Sequence, residues 1–360
     1  MLSGKAIVLT HGYLNTVNAK TCHGLLRYSS RFDVQAVVDK DFAGKDAGEV
    51  MDNKPLGIPI YASVAEALEK CSNITNLIIG VATHGGLLPN SFKPEIITAI
   101  KHHCNIVNGL HDYLSGMSDI STLAEEHEVI IKDIRRPKSI TDLHFWEGDI
   151  YEVECPIIAV LGVDCALGKR TTAGMIYQMC NDRKLKTEMI YTGQTGWMQG
   201  YKHGFIFDST LNDFISGEIE RSILSCYKEE SPELILLEGQ SSLRNPSGPG
   251  GSEFLLSGNA KGVVLQVSPE RIYFEGYEDL KILLPSTRDE IKLINQYGAE
   301  VIAVTVTSGN KLNQAELRNI MIMMERELEL PVVAPLVDGV EDLHRPITEY
   351  VERFNTISKD

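Results

Sequence analysis

Residues 157–172 read IIAVLGVDCALGKRTT, and this stretch decides the fold class of the chain. It opens with an apolar run of strand length, and Gly168 and Lys169 then begin a segment with a helical pattern. Such a loop is typical of a phosphate-binding P-loop, because backbone N–H groups at a helix N-terminus surround the anion and a lysine neutralises it. The residues predicted to bind the cofactor are Gly162, Asp164, Cys165, Ala166, Leu167, Gly168, Lys169, Arg170, Thr171 and Thr172.

The loop departs from the usual GxxxxGK[ST] pattern at two points. One more residue separates the first glycine from Gly168, and Arg170 takes the place of the Ser or Thr that holds magnesium. The longer spacing resembles the GTDxxxGKT loop of dethiobiotin synthetase and related P-loop enzymes. The pattern predicts phosphate binding and leaves ATP hydrolysis open; the alternative is an ordinary strand–helix turn with a surface lysine.

Apolar runs alternate with helical patterns along nearly all of the 360 residues, which predicts an α/β protein with mainly parallel sheets. The length fits two domains. A polar junction near residue 150 predicts a Rossmann-like domain at 1–150 and a P-loop domain at 151–360. Ser63, Asn212 and Ser286 are predicted helix caps.

Polar residues follow two further buried strands of the second half. Glu238 lies at the end of the strand in ELILLEGQSSL, where a P-loop domain places an acid beside the phosphates. Gln240 and Ser241 follow it and are predicted to bind the substrate. The stretch YTGQTGWMQG (191–200) is predicted to be a tight loop lining a pocket, with Gln194 and Thr195 facing the substrate. A strand-end acid that only caps a loop is the alternative for Glu238, and a plain connection is the alternative for 191–200.

The first half offers weaker candidates. His84 and Asn108 follow successive predicted strands, and a ligand-facing role competes with a simple turn role. His102-His103-Cys104 is the densest group of metal-ligand residue types, but neighbouring side chains point in different directions, so no metal site is predicted.

Composition excludes several functional classes. The net charge of −15 argues against nucleic-acid and anionic-lipid partners, because a polyanion is bound by clustered Lys and Arg. No run approaches the ~20 apolar residues that span a bilayer. Seven scattered cysteines predict free thiols, and hence a soluble, cytoplasmic chain.

The motifs GVDCALGKRTT, YTGQTGWM, LLEGQSSL and NGLHDYLS resemble, over nearly the whole chain, a family long known only as of unknown function. Its members join a Rossmann-like domain to a P-loop domain, and some are D-glutamate N-acetyltransferases. The resemblance implies acetyl-CoA as the cofactor, an acidic amino acid, D-glutamate, as the small-molecule acceptor, and a homo-oligomer.

Acetyl transfer to an amine requires a base and oxyanion donors. Glu238 or Asp208 is the predicted base, and backbone N–H groups near 193–196 are the predicted donors. Arg244 and Arg271 are predicted to pair with the acceptor's carboxylates, with surface salt bridges as their alternative role. Two other functions stay open: an ATP- and magnesium-dependent ligase or kinase of the dethiobiotin synthetase type, and a non-enzymatic nucleotide sensor.

Overall fold

The computed structural model describes residues 2–309 and 312–357, apart from the side chains of His84 and Ile357. The chain forms two compact units. Unit 1 runs to Lys138 and also includes Gln194–Tyr201, and unit 2 comprises Ser139–Gly193 and the chain from Lys202 onward. Each unit is built on a parallel sheet with its own buried core, as the alternating pattern predicts.

Unit 1 contains a six-stranded parallel sheet in the order β3-β2-β1-β4-β5-β6. The order reverses beside β1, as in dinucleotide-binding folds. The strands are β1 (Gly4–Leu9), β2 (Phe32–Val38), β3 (Ile60–Tyr61), β4 (Asn76–Ile79), β5 (Asn105–Asn108) and β6 (Ile131–Asp133). The helices are α1 (Lys20–Arg27), α2 (Ala47–Asp52), α3 (Val64–Lys70), α4 (Lys93–Lys101) and α5 (Ser118–Glu126).

Helix α3 illustrates how local sequence sets an element. The Ser63 hydroxyl accepts the Glu66 N–H at 3.2 Å, which confirms the predicted cap. Val64 and Ala67 are fully buried in the core of unit 1. Cap and apolar face together fix the start and the orientation of this helix.

Unit 2 contains a seven-stranded parallel sheet in the order β13-β12-β11-β7-β10-β8-β9. Its strands are β7 (Ile157–Gly162), β8 (Thr187–Tyr191), β9 (His203–Gly204), β10 (Leu234–Glu238), β11 (Gly262–Val267), β12 (Glu300–Val306) and β13 (Val332–Val333). The helices of this part of the chain are α6 (Lys169–Asp182), α7 (Gln194–Gln199, a part of unit 1), α8 (Asn212–Glu230), α9 (Ser252–Leu256), α10 (Thr287–Gln296), α11 (Gln314–Leu328), α12 (Pro335–Asp338) and α13 (His344–Ile357).

The predicted caps in unit 2 have different outcomes. Ser286 caps α10, because its hydroxyl accepts the Asp289 N–H at 3.2 Å. The prediction for Asn212 is wrong, since Asn212 is the first residue of α8 and Leu211 precedes it as the cap residue. The cap position is one residue earlier than the sequence pattern indicates.

Helix α7 corrects a larger prediction. Residues 191–200 are predicted to form a loop, yet Gln194–Gln199 is helical and packs on α1 inside unit 1. The Gln199 side-chain amide donates to Gly24 O at 2.9 Å and to Tyr28 O at 3.2 Å. The Arg31 guanidinium lies 4.4 Å from the centre of the Trp197 ring. Trp197 therefore stacks on an arginine of its own unit.

In unit 2 the strands are parallel, so the loops that follow them meet at one edge of the sheet. Strands β10 and β11 flank β7 on its two sides. The residues predicted to bind the cofactor lie at the end of β7, in the loop that follows it and in the first turn of α6.

Candidate phosphate-binding site

The loop between β7 and α6 has the conformation of a phosphate cradle. Ala166 and Gly168 have positive φ values of 52° and 92° and turn the chain into the first residue of α6. Gly168 adopts this conformation without the steric cost that a Cβ atom brings. The 14-residue helix α6 directs its N-terminal partial positive charge at the loop.

Lys169 lies inside this loop. Only 6% of the residue is exposed, and Nζ donates to Asp164 O at 2.6 Å and to Ser241 O at 2.7 Å. Both acceptors are backbone carbonyls on loops that follow neighbouring strands. The ammonium group is thus held beside the helix N-terminus, where an anion binds.

The two threonines that follow Arg170, Thr171 and Thr172, differ in whether their hydroxyl groups are available to a magnesium ion. Thr172 is buried, and its hydroxyl donates to Gln266 Oε1 at 2.7 Å, as the Thr305 hydroxyl also does. Gln266 Nε2 donates in turn to Thr307 Oγ1 at 2.6 Å. This network ties α6 to β11 and β12, so the Thr172 hydroxyl faces the sheet and Thr171 alone stays partly exposed.

Glu238 is the acid at the end of β10, and 3% of it is exposed. Its Oε2 accepts the Thr192 N–H at 2.9 Å, and the Thr192 hydroxyl donates to Glu238 O at 2.7 Å. Burial raises the pKa of Glu238, and the Arg170 charge and the N–H groups of Thr192 and Gly193 oppose that rise. A carboxyl group of raised pKa beside a phosphate loop is typical of an acid–base residue.

Gln240 and Ser241 follow Glu238 in the loop after β10. Gln240 Nε2 donates to Thr192 Oγ1 at 3.0 Å, and a Cβ atom on Gly193 would lie only 3.1 Å from that nitrogen. Ser241 has a φ of 48°, and its hydroxyl donates to Gly248 O. The glycine at 193 therefore lets the backbone pack closely against both Glu238 and Gln240.

Asp164 is fully buried and accepts four hydrogen bonds. Its Oδ1 accepts from Cys165 N at 2.7 Å and from Asn245 Nδ2 at 3.0 Å. Its Oδ2 accepts from Arg271 Nη1 and Glu275 N, each at 2.8 Å. Asp164 thus belongs to the framework of the loop.

The two arginines predicted for the acceptor form ion pairs within unit 2. Arg271 pairs with Asp164 and Glu275, and it also donates to Cys165 O at 2.7 Å. Arg244 Nη2 lies 2.7 Å from Oε2 of the buried Glu290, while 38% of the Arg244 side chain is exposed. Arg271 therefore supports the loop, and Arg244 is the one of the two that presents a substantial surface to solvent.

The remaining predicted residues lie elsewhere. Asp208 is exposed on a short 3₁₀ turn, Phe207–Ser209, and not at the end of a strand as predicted. In unit 1, Thr195 Oγ1 lies 3.1 Å from Thr21 Oγ1, and Gln194 is buried beside Gly109. The side chain of His84 lies outside the described residues.

Asn108 is also a structural residue by its contacts. It is fully buried, and its side-chain amide donates to Asp133 Oδ1 at 2.7 Å and to Asp112 O at 2.8 Å. The amide of Asn108 therefore ties the loop after β5 to the end of β6.

Sequence reasoning missed Asn245, Gln266 and Glu275. Gln266 gave a signal, because it is the one polar residue of the apolar run GVVLQV and ends up 1% exposed. Asn245 and Glu275 gave none, because they contact Asp164 across 81 and 111 residues of chain.

One other cluster has metal-ligand residue types. The ligand atoms of His203, Glu229 and Glu230 lie within 4.8 Å of one another. Lys202 Nζ lies 2.9 Å from Glu229 Oε2 and also pairs with Glu230. The lysine supplies the positive charge that these carboxylates need.

In residues 2–309 and 312–357, no helix combines the length and the apolar character needed to cross a membrane.

Fold and site together define an α/β protein that couples a Rossmann-like unit to a P-loop unit with a buried lysine and a buried acid beside the loop. Residues 40–137 match the family domain described as "DUF1611_N, Rossmann-like domain". Residues 144–344 match "DUF1611_C, P-loop domain", both being domains of unknown function. The chain belongs to the DUF1611 family.

Two relatives carry a functional name. A D-glutamate N-acetyltransferase of a Pseudoalteromonas species is 28% identical over 296 residues, which cover 78% of this chain and 86% of the relative. A D-glutamate N-acetyltransferase of Tritonibacter scottomollicae is 26% identical over 275 residues, covering 75% and 80%. A DUF1611 family protein of Anabaena variabilis has a similar crystal structure, with a TM-score of 0.86, 24% identity and coverage of 96% and 99%.

Proposed function

We propose that this protein transfers the acetyl group of acetyl-CoA to the amine of an acidic amino acid, with D-glutamate as the acceptor. The observation that carries the proposal is the buried Lys169 ammonium, held at the N-terminus of α6 in a loop that fits a diphosphate. The names of the two relatives supply the reaction class.

The donor set of the loop fits coenzyme A. A diphosphate needs cationic and N–H donors, and the loop offers Lys169, Arg170 and the N-terminus of α6. It needs no magnesium for binding alone, which agrees with an arginine at position 170 and with the inward-facing hydroxyl of Thr172. Acetyl-CoA supplies an acetyl group on a thioester.

We assign the role of general base to Glu238. An amino acid carries its amine as an ammonium group near neutral pH and must lose a proton before it attacks a carbonyl carbon. Glu238 is adjacent to the loop in the sheet, and its pKa is raised by burial, which makes it a stronger base than an exposed carboxylate. Asp208 is the weaker candidate, because it is exposed on a turn outside the strands.

We propose that Arg244 binds the carboxylates of the acceptor. Its guanidinium is partly exposed and already fixed in position by Glu290. A guanidinium held in this way is suited to a carboxylate partner. Arg271, in contrast, has its guanidinium directed at Asp164. We also propose that the protein is cytoplasmic and forms a homo-oligomer.

A second function, an ATP- and magnesium-dependent ligase or kinase, is favoured by one observation. Glu238 ends the strand that pairs directly with the P-loop strand, which is where such enzymes place an acid near the metal. Arg170 and the engaged hydroxyl of Thr172 are the features that oppose it.

One panel of assays separates the two functions. Acetyl-CoA or Mg-ATP is offered with D- and L-glutamate, D-aspartate and D-alanine, with and without EDTA. We expect free thiol to be released with acetyl-CoA and a D-acidic amino acid, at a rate that EDTA does not change. Absence of thiol release with every amine would remove the acetyltransferase, and magnesium-dependent release of ADP or phosphate would establish the alternative.

The lysine at the centre of the proposal is tested in the same assay. Lys169→Ala should raise the KM for acetyl-CoA by about tenfold or more, because a hydrogen bond to a charged group is worth roughly 1.5–3 kcal/mol. Lys228→Ala is the matched control, since it removes the same charge from an exposed position in unit 2. An unchanged KM in Lys169→Ala would place the phosphate anchor elsewhere.

A further inference from the structure

We propose that Asp164 is a positioning residue that holds three loops of unit 2 together around the phosphate site, with Arg271 as its counter-charge. This inference rests on the proposed function, because it explains how the site that would bind the diphosphate keeps its shape. It assigns no ligand contact to Asp164 itself.

The hydrogen bonds of Asp164 come from three separate segments. Cys165 belongs to the P-loop, Asn245 to the loop after β10, and Arg271 and Glu275 to the loop after β11. Each carboxylate oxygen accepts two bonds, at distances of 2.7 to 3.0 Å. Since these segments follow strands β7, β10 and β11, one carboxylate links the ends of three adjacent strands.

A buried carboxylate of this kind requires its partners. Asp164 is 0% exposed, and an ionised group without compensation in such a position is strongly destabilising. Arg271 supplies the opposite charge, and its guanidinium reaches the P-loop a second time through Cys165 O. Both Asp164 and Arg271 are therefore needed to keep the geometry of this ion pair.

Asp164 also helps to position Lys169, the cation at the end of the P-loop. The carbonyl of Asp164 accepts a hydrogen bond from Lys169 Nζ at 2.6 Å, and the other acceptor of that ammonium, Ser241 O, lies on the loop that also carries Asn245. A rotation of the Asp164 peptide moves the first of these acceptors, and a shift of the loop that carries Asn245 moves the second. The carboxylate contacts of Asp164 are thus coupled to the group that binds the phosphate.

The third loop is itself an ordered hairpin-like segment. Phe274 N donates to Ile282 O at 3.0 Å, and Leu284 N donates to Ile272 O at 2.9 Å. The Phe274 side chain is 3% exposed and gives the segment an apolar anchor. Arg271 at the start of this segment and Glu275 within it both donate to Asp164, which ties the segment to the P-loop.

The test compares Asp164→Asn, Arg271→Gln and the double variant with Glu220→Gln. Glu220 is the matched control, because it is a buried acid of unit 2 that accepts the N–H groups of Glu147 and Ile150 and contacts none of the three loops in its hydrogen bonds. Hydrogen exchange is measured without ligand, and the affinity for acetyl-CoA is measured by titration calorimetry.

We expect Asp164→Asn to speed exchange at least tenfold in all three loops, at 163–168, 241–251 and 271–276, and to weaken acetyl-CoA binding at least tenfold. The double variant should bind acetyl-CoA no more weakly than the single variant of lower affinity, because both substitutions break the same Asp164–Arg271 pair. Glu220→Gln should speed exchange at 147–150 and leave affinity unchanged.

Faster exchange limited to the P-loop, or losses of affinity that add in the double variant, would overturn the proposal. A wild-type protein that binds no acetyl-CoA would remove the proposed function, and the exchange pattern of the three loops would still decide the role of Asp164.

Discussion

At the scale of single residues, the site combines a buried cation with a buried acid in one unit. Lys169 is held by two backbone carbonyls, and Glu238 is held by the backbone N–H of Thr192. These contacts fix both groups before any ligand arrives, and a fixed group costs less to position during a reaction. The arrangement favours a site whose polar groups are oriented in advance.

Glu238→Gln should separate activity from stability. Glutamine keeps the shape and still accepts the Thr192 N–H, but it takes no proton from an amine, so kcat should fall by about 10²–10⁴-fold. Because burial raises the pKa of Glu238 above the ordinary value of 4.5, the folded state binds its proton more tightly than the unfolded state does. The stability that this group contributes is therefore present at low pH and is lost as pH rises through the folded-state pKa.

Two measurements check this expectation. The acid limb of kcat/KM in the wild type should lie above the pH range of an exposed glutamate, because only the ionised base is active. At neutral pH the variant should unfold at a temperature no lower than that of the wild type, since it removes a buried charge. A variant with normal kcat, or one that unfolds well below the wild type at pH 7, would contradict the assignment.

At the scale of elements, local patterns predicted much of the fold but not its long-range pairs. The strand at 157–162 and the cap at Ser286 follow from a few adjacent residues, and both are confirmed. Helix α7 did not follow, because QTGWMQ has a glycine and no apolar helical period, and its contacts with Gly24 and Tyr28 lie 175 and 171 residues away. Arg271 is predictable as a cation, but its partner lies 107 residues away and only the fold brings the two together.

Gln199→Leu tests whether tertiary contacts hold α7 in place. Gln199 is 6% exposed and its side-chain amide donates to two backbone carbonyls, so its replacement should lower the free energy of unfolding by about 1–3 kcal/mol. Chemical denaturation measures that change. Thr98→Val is the control, because it removes one hydroxyl bond, to Pro94 O, from a partly exposed helix position in the same unit. An equal loss of unfolding free energy in both variants would mean that the Gln199 contacts stabilise α7 no more than an ordinary side-chain hydrogen bond does.

At the scale of the whole molecule, the chain is strongly acidic while its phosphate loop is cationic. The net charge of −15 disfavours anions in general, and the loop gathers Lys169, Arg170 and a helix N-terminus at one place. Under the proposed function, selection of the anionic cofactor therefore depends on this local site and not on the overall field. Each unit also has its own core, which allows the response to a ligand to be mapped unit by unit.

Hydrogen exchange with and without acetyl-CoA gives that map. We expect protection to increase at 163–172 and at 238–251 in unit 2, because a bound diphosphate satisfies N–H groups of the loop and reduces local opening. Saturation at about 100 times the Kd should add about 2.7 kcal/mol to the unfolding free energy of the unit that binds. The same experiment on Lys169→Ala should show weaker protection at equal ligand concentration. Protection confined to unit 1 would instead assign the cofactor to the Rossmann-like sheet, where the strand order reverses beside β1 and where such folds bind their ligands.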